Sequence, residues 1–138
     1  MPGYATDGGA DGGHPPFIPW EAEVFFQGFP RERMLYGKFA ALLERLVPDA
    51  RLNVRRTQLS FFLNTMFLAV WLLPRKNKKP RIIVALSLGR AVESDRVMAS
   101  SRVSTSRWTV HIPLESEENL DKEMEGWILE AAEKAKGR

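Results

Sequence analysis

Residues 66–88 read MFLAVWLLPRKNKKPRIIVALSL and contain two apolar runs on either side of a charged segment. The first run, Met66–Leu73, is the longest apolar stretch in the chain, and it predicts a strand at the centre of a sheet. The segment Pro74–Pro80 is rich in lysine, arginine and proline, so we expect a charged hairpin loop. Arg81–Leu88 then predicts the neighbouring, returning strand.

The sequence on either side of this pair extends the predicted sheet. Further strands are expected at Arg51–Arg56, Thr57–Phe62 and Trp108–Ile112, where β-branched, aromatic or alternating apolar residues recur. The stretch from Gly89 to Arg107 is polar and poorly patterned. It predicts a long loop with at most a short edge strand near Val97.

One helix is predicted on each side of the strands. The first, Arg31–Leu46, follows Pro30, which suits a first helical position, and it carries apolar side chains at helical spacing. The second, Ser116–Lys136, has a serine N-cap, acids in its first turn and lysines in its last turn. The order α-β-β-β-β-(β)-α predicts an α+β fold, in which an antiparallel sheet of four to five strands packs both helices on one face.

The chain has 138 residues, which fits one domain. Residues 1–16 are rich in glycine and proline and cannot bury much apolar surface, so they predict a disordered tail before a single domain at 17–138. The large apolar side chains of residues 17–26 are expected to dock on that domain.

Composition excludes several classes of function. The chain has no cysteine, which removes disulfides, thiolate metal sites and cysteine nucleophiles, and suits a reducing compartment. It has no apolar run long enough to span a membrane and no signal-peptide pattern, so we expect a cytoplasmic protein without membrane association. His14 and His111 are isolated from each other, and no cofactor motif is present, so neither a metal site nor a cofactor is expected. Both a monomer and a homodimer remain open.

The charge is unevenly distributed along the chain. Residues 51–112 hold twelve bases and two acids, whereas residues 1–50 and 113–138 are both acidic. The strand block is therefore basic, and this favours an anionic partner.

A polar cluster on the strands provides the leading candidate site. In the last strand, alternation places Trp108, Val110 and Ile112 on one face, and Arg107, Thr109 and His111 on the other. Arginine beside histidine can bind a phosphate or carboxylate. If the strands are neighbours, Gln58 and Ser60 join them, which gives the predicted ligand-binding set Gln58, Ser60, Arg107, Thr109 and His111. The alternative is a solvated strand face with a structural histidine.

A second candidate is the basic segment of the hairpin. Its cations would attract a phosphate backbone, with strong salt dependence, and they are Arg75, Lys76, Lys78, Lys79 and Arg81. The segment lacks interleaved aromatics for base stacking. A solubilising hairpin tip is the alternative interpretation.

Several short segments of the sequence resemble those of a bacterial family filed as domain of unknown function 5655. They are Thr57–Phe61, Phe67–Val70, Leu86–Gly89, Arg107–His111 and Asp121–Ile128. The resemblance implies a small helix–sheet–helix domain and brings no catalytic residues. Where it leads us to expect Ala-Tyr, this chain reads Ala131-Ala132.

Three functions follow in order of preference. The first is a non-catalytic binding module for a small anionic ligand or a protein partner. The second is nucleic-acid association through the basic hairpin. The third is a hydrolase with His111 as base, which ranks last because no nucleophile, metal set or second acid is evident and no catalytic residue can be named.

Overall fold

The structure, a computed structural model, describes residues 15–137. Two helices come first in these residues, and a third comes last: α1 (Trp20–Phe25), α2 (Pro30–Leu46) and α3 (Lys122–Lys136). Between α2 and α3 lie the strands β1 (Arg51–Val54), β2 (Leu59–Phe62), β3 (Met66–Arg75), β4 (Lys78–Leu88), β5 (Ala99–Ser104) and β6 (Arg107–Leu114). The fold belongs to the predicted α+β class. Of the predicted disordered tail 1–16, residues 1–14 lie outside the described residues.

The strands form one antiparallel sheet in the order β1-β2-β3-β4-β6-β5. The two apolar runs of residues 66–88 are its central strands, as predicted. They pair from Leu68 opposite Leu86 to Leu73 opposite Arg81. Their apolar character follows from this position, because a central strand is shielded by neighbours on both sides.

The helices cover one face of the sheet. Alternate strand residues such as Phe61, Val84 and Ile112 form a single core with Tyr36 of α2 and Trp127 of α3. The opposite face, here called the open face, carries the intervening residues. It includes Ser60, Ala69, Trp71, Ile83, Ala85, Thr109 and His111.

The sheet has six strands, not four to five, because part of the predicted loop 89–107 is β5. All six residues of β5 are exposed. Within residues 15–137 the strand pairs with β6 alone and is covered on neither face, so its sequence needs no apolar alternation. For this reason the pattern of residues 99–104 does not reveal a strand.

The predicted loop Pro74–Pro80 is also mostly strand. Arg75 pairs with Lys78, which leaves a two-residue turn at Lys76 and Asn77. Asn77 has φ 61°, a left-handed conformation that asparagine tolerates well. The register shifts between Leu73 and Arg75, and this irregularity accommodates the prolines that a regular ladder would reject.

The helix boundaries differ from prediction at two places. The apolar segment 17–26, predicted to dock on the domain, contains the short helix α1, which the sequence pattern does not predict. The C-terminal α-helix begins at Lys122, and its N-cap is Asp121, which accepts a hydrogen bond from the Met124 N–H at 3.0 Å. Ser116 instead caps a short 3₁₀ turn at Glu117–Asn119.

Candidate functional site

The predicted set on the open face is spread out. Ser60 lies in the same row as Ala69, Ala85 and His111, so three strand spacings, roughly 14 Å, separate Ser60 from His111. Arg107 lies four residues before His111 along β6, roughly 13 Å away. These residues share a face but do not converge on one small ligand.

Gln58 and Ser60 satisfy each other. The Gln58 side-chain amide donates to the Ser60 hydroxyl at 2.8 Å, and Ser60 is 2% exposed. The hydroxyl is therefore held within the sheet surface and is not presented to a ligand.

His111 packs against an indole. Its ring lies edge-on to Trp71, with the centroids 5.1 Å apart, and its partial burial lowers the pKa of the imidazole. No hydrogen bond joins the imidazole to a carboxylate or hydroxyl group within residues 15–137, so in that part of the chain no side chain orients it as a catalytic base.

Thr109 lies beside serines. It is opposite Ser87 on β4 and Ser101 on β5, and it makes a short polar row across the open face. Arg107, at the start of β6, is exposed. The row offers hydroxyl groups to solvent across β4, β6 and β5.

A concave site lies elsewhere, at the end of the sheet that carries the β3–β4 turn. We call it the basic cleft. Its volume is about 390 Å³, within the usual size range of small-molecule sites. Three parts of the chain line it: Arg31, Glu32 and Leu35 of α2, Arg75 and Lys78–Ile82 of the hairpin, and Leu114 and Glu115 at the end of β6.

Local structure brings these parts together. Pro30 begins α2 without needing a hydrogen-bond partner, so Arg31 and Glu32 occupy the first turn, where the helix dipole is positive. The Arg31 guanidinium donates to the Glu115 backbone carbonyl at 2.8 Å. Arg81 donates to the Glu115 carboxylate at 2.7 Å, and these two contacts fix α2 and the hairpin to the end of β6.

The cations of the cleft outnumber its acids. Five bases, Arg31, Arg75, Lys78, Lys79 and Arg81, accompany the two acids Glu32 and Glu115. Within residues 15–137, no carboxylate lies within ion-pair distance of the last two lysines of the hairpin or of Arg75. The cleft therefore keeps an unneutralised positive charge, which favours anions.

One acid of the cleft is unusually placed. Glu32 is 3% exposed, and its Oε1 atom is buried without a hydrogen-bond partner among residues 15–137. Its Oε2 atom lies 3.6 Å from an Arg31 guanidinium nitrogen, an ion pair without a close hydrogen bond. A buried carboxylate oxygen without a donor is costly and is rare in proteins.

Four of the five predicted basic residues line this cleft, namely Arg75, Lys78, Lys79 and Arg81, whereas Lys76 does not. Sequence reasoning missed Arg31, Glu32 and Glu115, which are distant in the chain. One signal in the sequence pointed to Glu32. It stands three residues before Leu35 and seven before Phe39, so an acid occupies a position of the apolar stripe of α2.

Comparison with known proteins identifies the family. The model of the family described as Domain of unknown function (DUF5655) matches residues 25–134, and the chain belongs to that family. The match contains the whole sheet and the basic cleft. No significant match was found among the curated proteins or the solved structures.

Two further features bear on function. In residues 15–137, no helix combines the length and apolar character that crossing a membrane requires. In the same residues, no group of three or more histidines or acids could hold a metal ion.

Proposed function

We propose that this domain is a non-catalytic module that binds a small anionic ligand in the basic cleft. The observation that carries the proposal is that five basic residues line one cleft of about 390 Å³. The open face had been the predicted location, but its residues are too far apart to share a small ligand. A cytoplasmic location remains part of the proposal.

Phosphate is the anion best suited to the cleft. Guanidinium groups bind phosphate through paired hydrogen bonds, and lysines add point charges that rotate to suit the ligand. The first turn of α2 contributes a partial positive charge at the same place. A carboxylate would use the same groups with a smaller charge.

The test compares lysines within and outside the cleft. Lys78→Gln with Lys79→Gln removes two cations that line the cleft, whereas Lys76→Gln removes one from the same turn that does not. In a titration with inorganic phosphate, we expect the double variant to bind at least about tenfold more weakly and Lys76→Gln to bind like the wild type. Absence of saturable phosphate binding to the wild-type protein would refute the proposal, as would equal effects of both variants.

Nucleic-acid association is a second candidate, and one observation favours it. Lys76, Lys78 and Lys79 are exposed at the hairpin, and no carboxylate of residues 15–137 pairs with them. A phosphate backbone would contact all three lysines, so Lys76→Gln should then weaken binding as much as Lys78→Gln or Lys79→Gln does. Each substitution should also reduce the slope of log affinity against log salt concentration by about one. Undetectable binding to single-stranded and duplex DNA and RNA at low salt would end this candidate.

A further inference from the structure

Glu32 constrains the ligand beyond its negative charge. A basic cleft for an inorganic anion has no need of a buried carboxylate, which repels anions. Yet Glu32 lines the cleft, is 3% exposed, and keeps Oε1 without a donor in the described chain. The ligand is therefore expected to bring the missing donor.

The donor is a neutral hydroxyl rather than an ammonium group. The cleft holds five bases against two acids, so a ligand ammonium would be repelled by several neighbouring cations. A hydroxyl donates the same hydrogen bond without that repulsion, and carboxylates commonly accept hydrogen bonds from sugar hydroxyls in proteins.

We infer, on the basis of the proposed function, that the ligand is a phosphate ester with neighbouring hydroxyl groups, such as a phosphorylated sugar or polyol. Its phosphate contacts the lysines and Arg75, and a hydroxyl donates to the unpartnered oxygen of Glu32. Arg31 keeps its hydrogen bond to the Glu115 carbonyl and its ion pair with the Oε2 atom of Glu32, which leaves Oε1 as the acceptor for the hydroxyl.

The experiment uses a matched pair of ligands and measures their dissociation constants by calorimetry. n-Propyl phosphate and glycerol 3-phosphate have the same charge and the same three-carbon chain, and they differ only in two hydroxyl groups. We expect wild-type protein to bind glycerol 3-phosphate at least about tenfold more tightly than propyl phosphate. Phosphoethanolamine, which carries an ammonium group, should bind more weakly than glycerol 3-phosphate.

Variants at Glu32 test the assignment of the acceptor. Glu32→Met has a similar length and no acceptor, and should reduce the preference for glycerol 3-phosphate to within about threefold while phosphate binding persists. Glu44→Met is the control, because Glu44 is an exposed acid on the same helix outside the cleft. Removal of an unpartnered buried acid should leave the protein folded.

The outcomes separate the two proposals. If neither ester binds to wild-type protein, the proposed function itself fails. If both esters bind with equal affinity, if phosphoethanolamine binds most tightly, or if Glu32→Met keeps the preference, the cleft binds anions and the hydroxyl assignment is wrong.

Discussion

At the scale of single residues, His111 gives the open face a measurable pH dependence. Its burial beside Trp71 lowers the imidazole pKa in the folded state below the ordinary value of 6.5. Between the folded and unfolded pKa values, the unfolded chain therefore binds more protons than the folded one. This contribution to stability is constant above the unfolded pKa, falls as the pH decreases through this window, and levels off below the folded pKa.

We expect His111→Gln to flatten this dependence. The free energy of unfolding, measured in urea at several pH values from about 7.5 to 5, should fall for the wild type and fall less for the variant. The pKa of Asp121 is lowered by the Met124 backbone hydrogen bond and by Arg96, so its contribution is lost only below the ordinary Asp value of 3.8. The Asp121 contribution therefore changes only below the pH range of this measurement, and an unchanged slope in His111→Gln would contradict the assignment.

At the scale of elements, hydrogen bonds from Arg96 connect the β4–β5 loop to the start of α3. Its guanidinium donates to Asp121 at 3.0 Å, to Glu123 at 2.9 Å and to the Asn119 carbonyl at 2.8 Å. It also lies 5.3 Å from the centroid of the Trp127 ring. These contacts form a network, which stabilises more than an isolated surface pair.

Arg96→Ala should therefore lower the unfolding free energy by about 2 kcal/mol. Arg96→Lys should have an unfolding free energy between those of the wild type and Arg96→Ala, because lysine keeps the charge but not the planar fork. Arg90, in the same connection, pairs with Glu130 of α3 and with no other acid of residues 15–137, so Arg90→Ala serves as the control and should cost less than about 1 kcal/mol. Equal losses from the two alanine variants, measured by urea unfolding, would show that no network effect exists.

Asp121 has two functions that substitutions separate. Asparagine caps helices as well as aspartate does, so Asp121→Asn should lose the charge pair with Arg96 and keep the cap. Asp121→Ala should lose both and cost about 1 kcal/mol more than Asp121→Asn in the same urea measurement. A smaller loss from alanine than from asparagine would refute the capping role.

The secondary-structure elements differ in how clearly the sequence predicts them. Apolar runs and alternation predict the central strands and the two faces of β6, because burial imposes those patterns, and Pro30 at a first helical position predicts the start of α2. β5 leaves no pattern because all six of its residues are exposed. The charged residues around Lys76 and Asn77 are also typical of a loop, so the sequence does not reveal that the turn has only two residues. The basic cleft joins Arg31, Arg81 and Glu115 across long sequence separations, which local patterns do not encode.

At the scale of the whole molecule, the segment before α2 completes the core. Phe17 is 4% exposed and contacts Phe61 edge-on, and its carbonyl accepts a hydrogen bond from the buried Tyr36 hydroxyl at 2.7 Å. The family match begins at residue 25, after Phe17 and most of α1. A protein trimmed to the matched residues would expose core side chains, and burial of Phe17 and Ile18 is worth about 3–6 kcal/mol together.

Phe17→Ala tests this dependence at a single position. It should lower the unfolding free energy by about 3–5 kcal/mol, a large part of the stability of an ordinary domain. Trp20→Ala, in the same segment but 64% exposed, should change it by less than about 1 kcal/mol. Similar melting temperatures for the two variants would mean that Phe17 does not belong to the core.

The tight turn at Lys76 and Asn77 also has a consequence for affinity. Fixing the backbone of a mobile residue costs about 1–2 kcal/mol of conformational entropy, so freezing a seven-residue loop at 74–80 around a ligand would cost on the order of 10 kcal/mol. Here that entropy is lost during folding, because the pairing of β3 with β4 already fixes the backbone. The backbone that carries the cations is preorganised, so the small anion of the proposed function would bind without first ordering the chain that holds it.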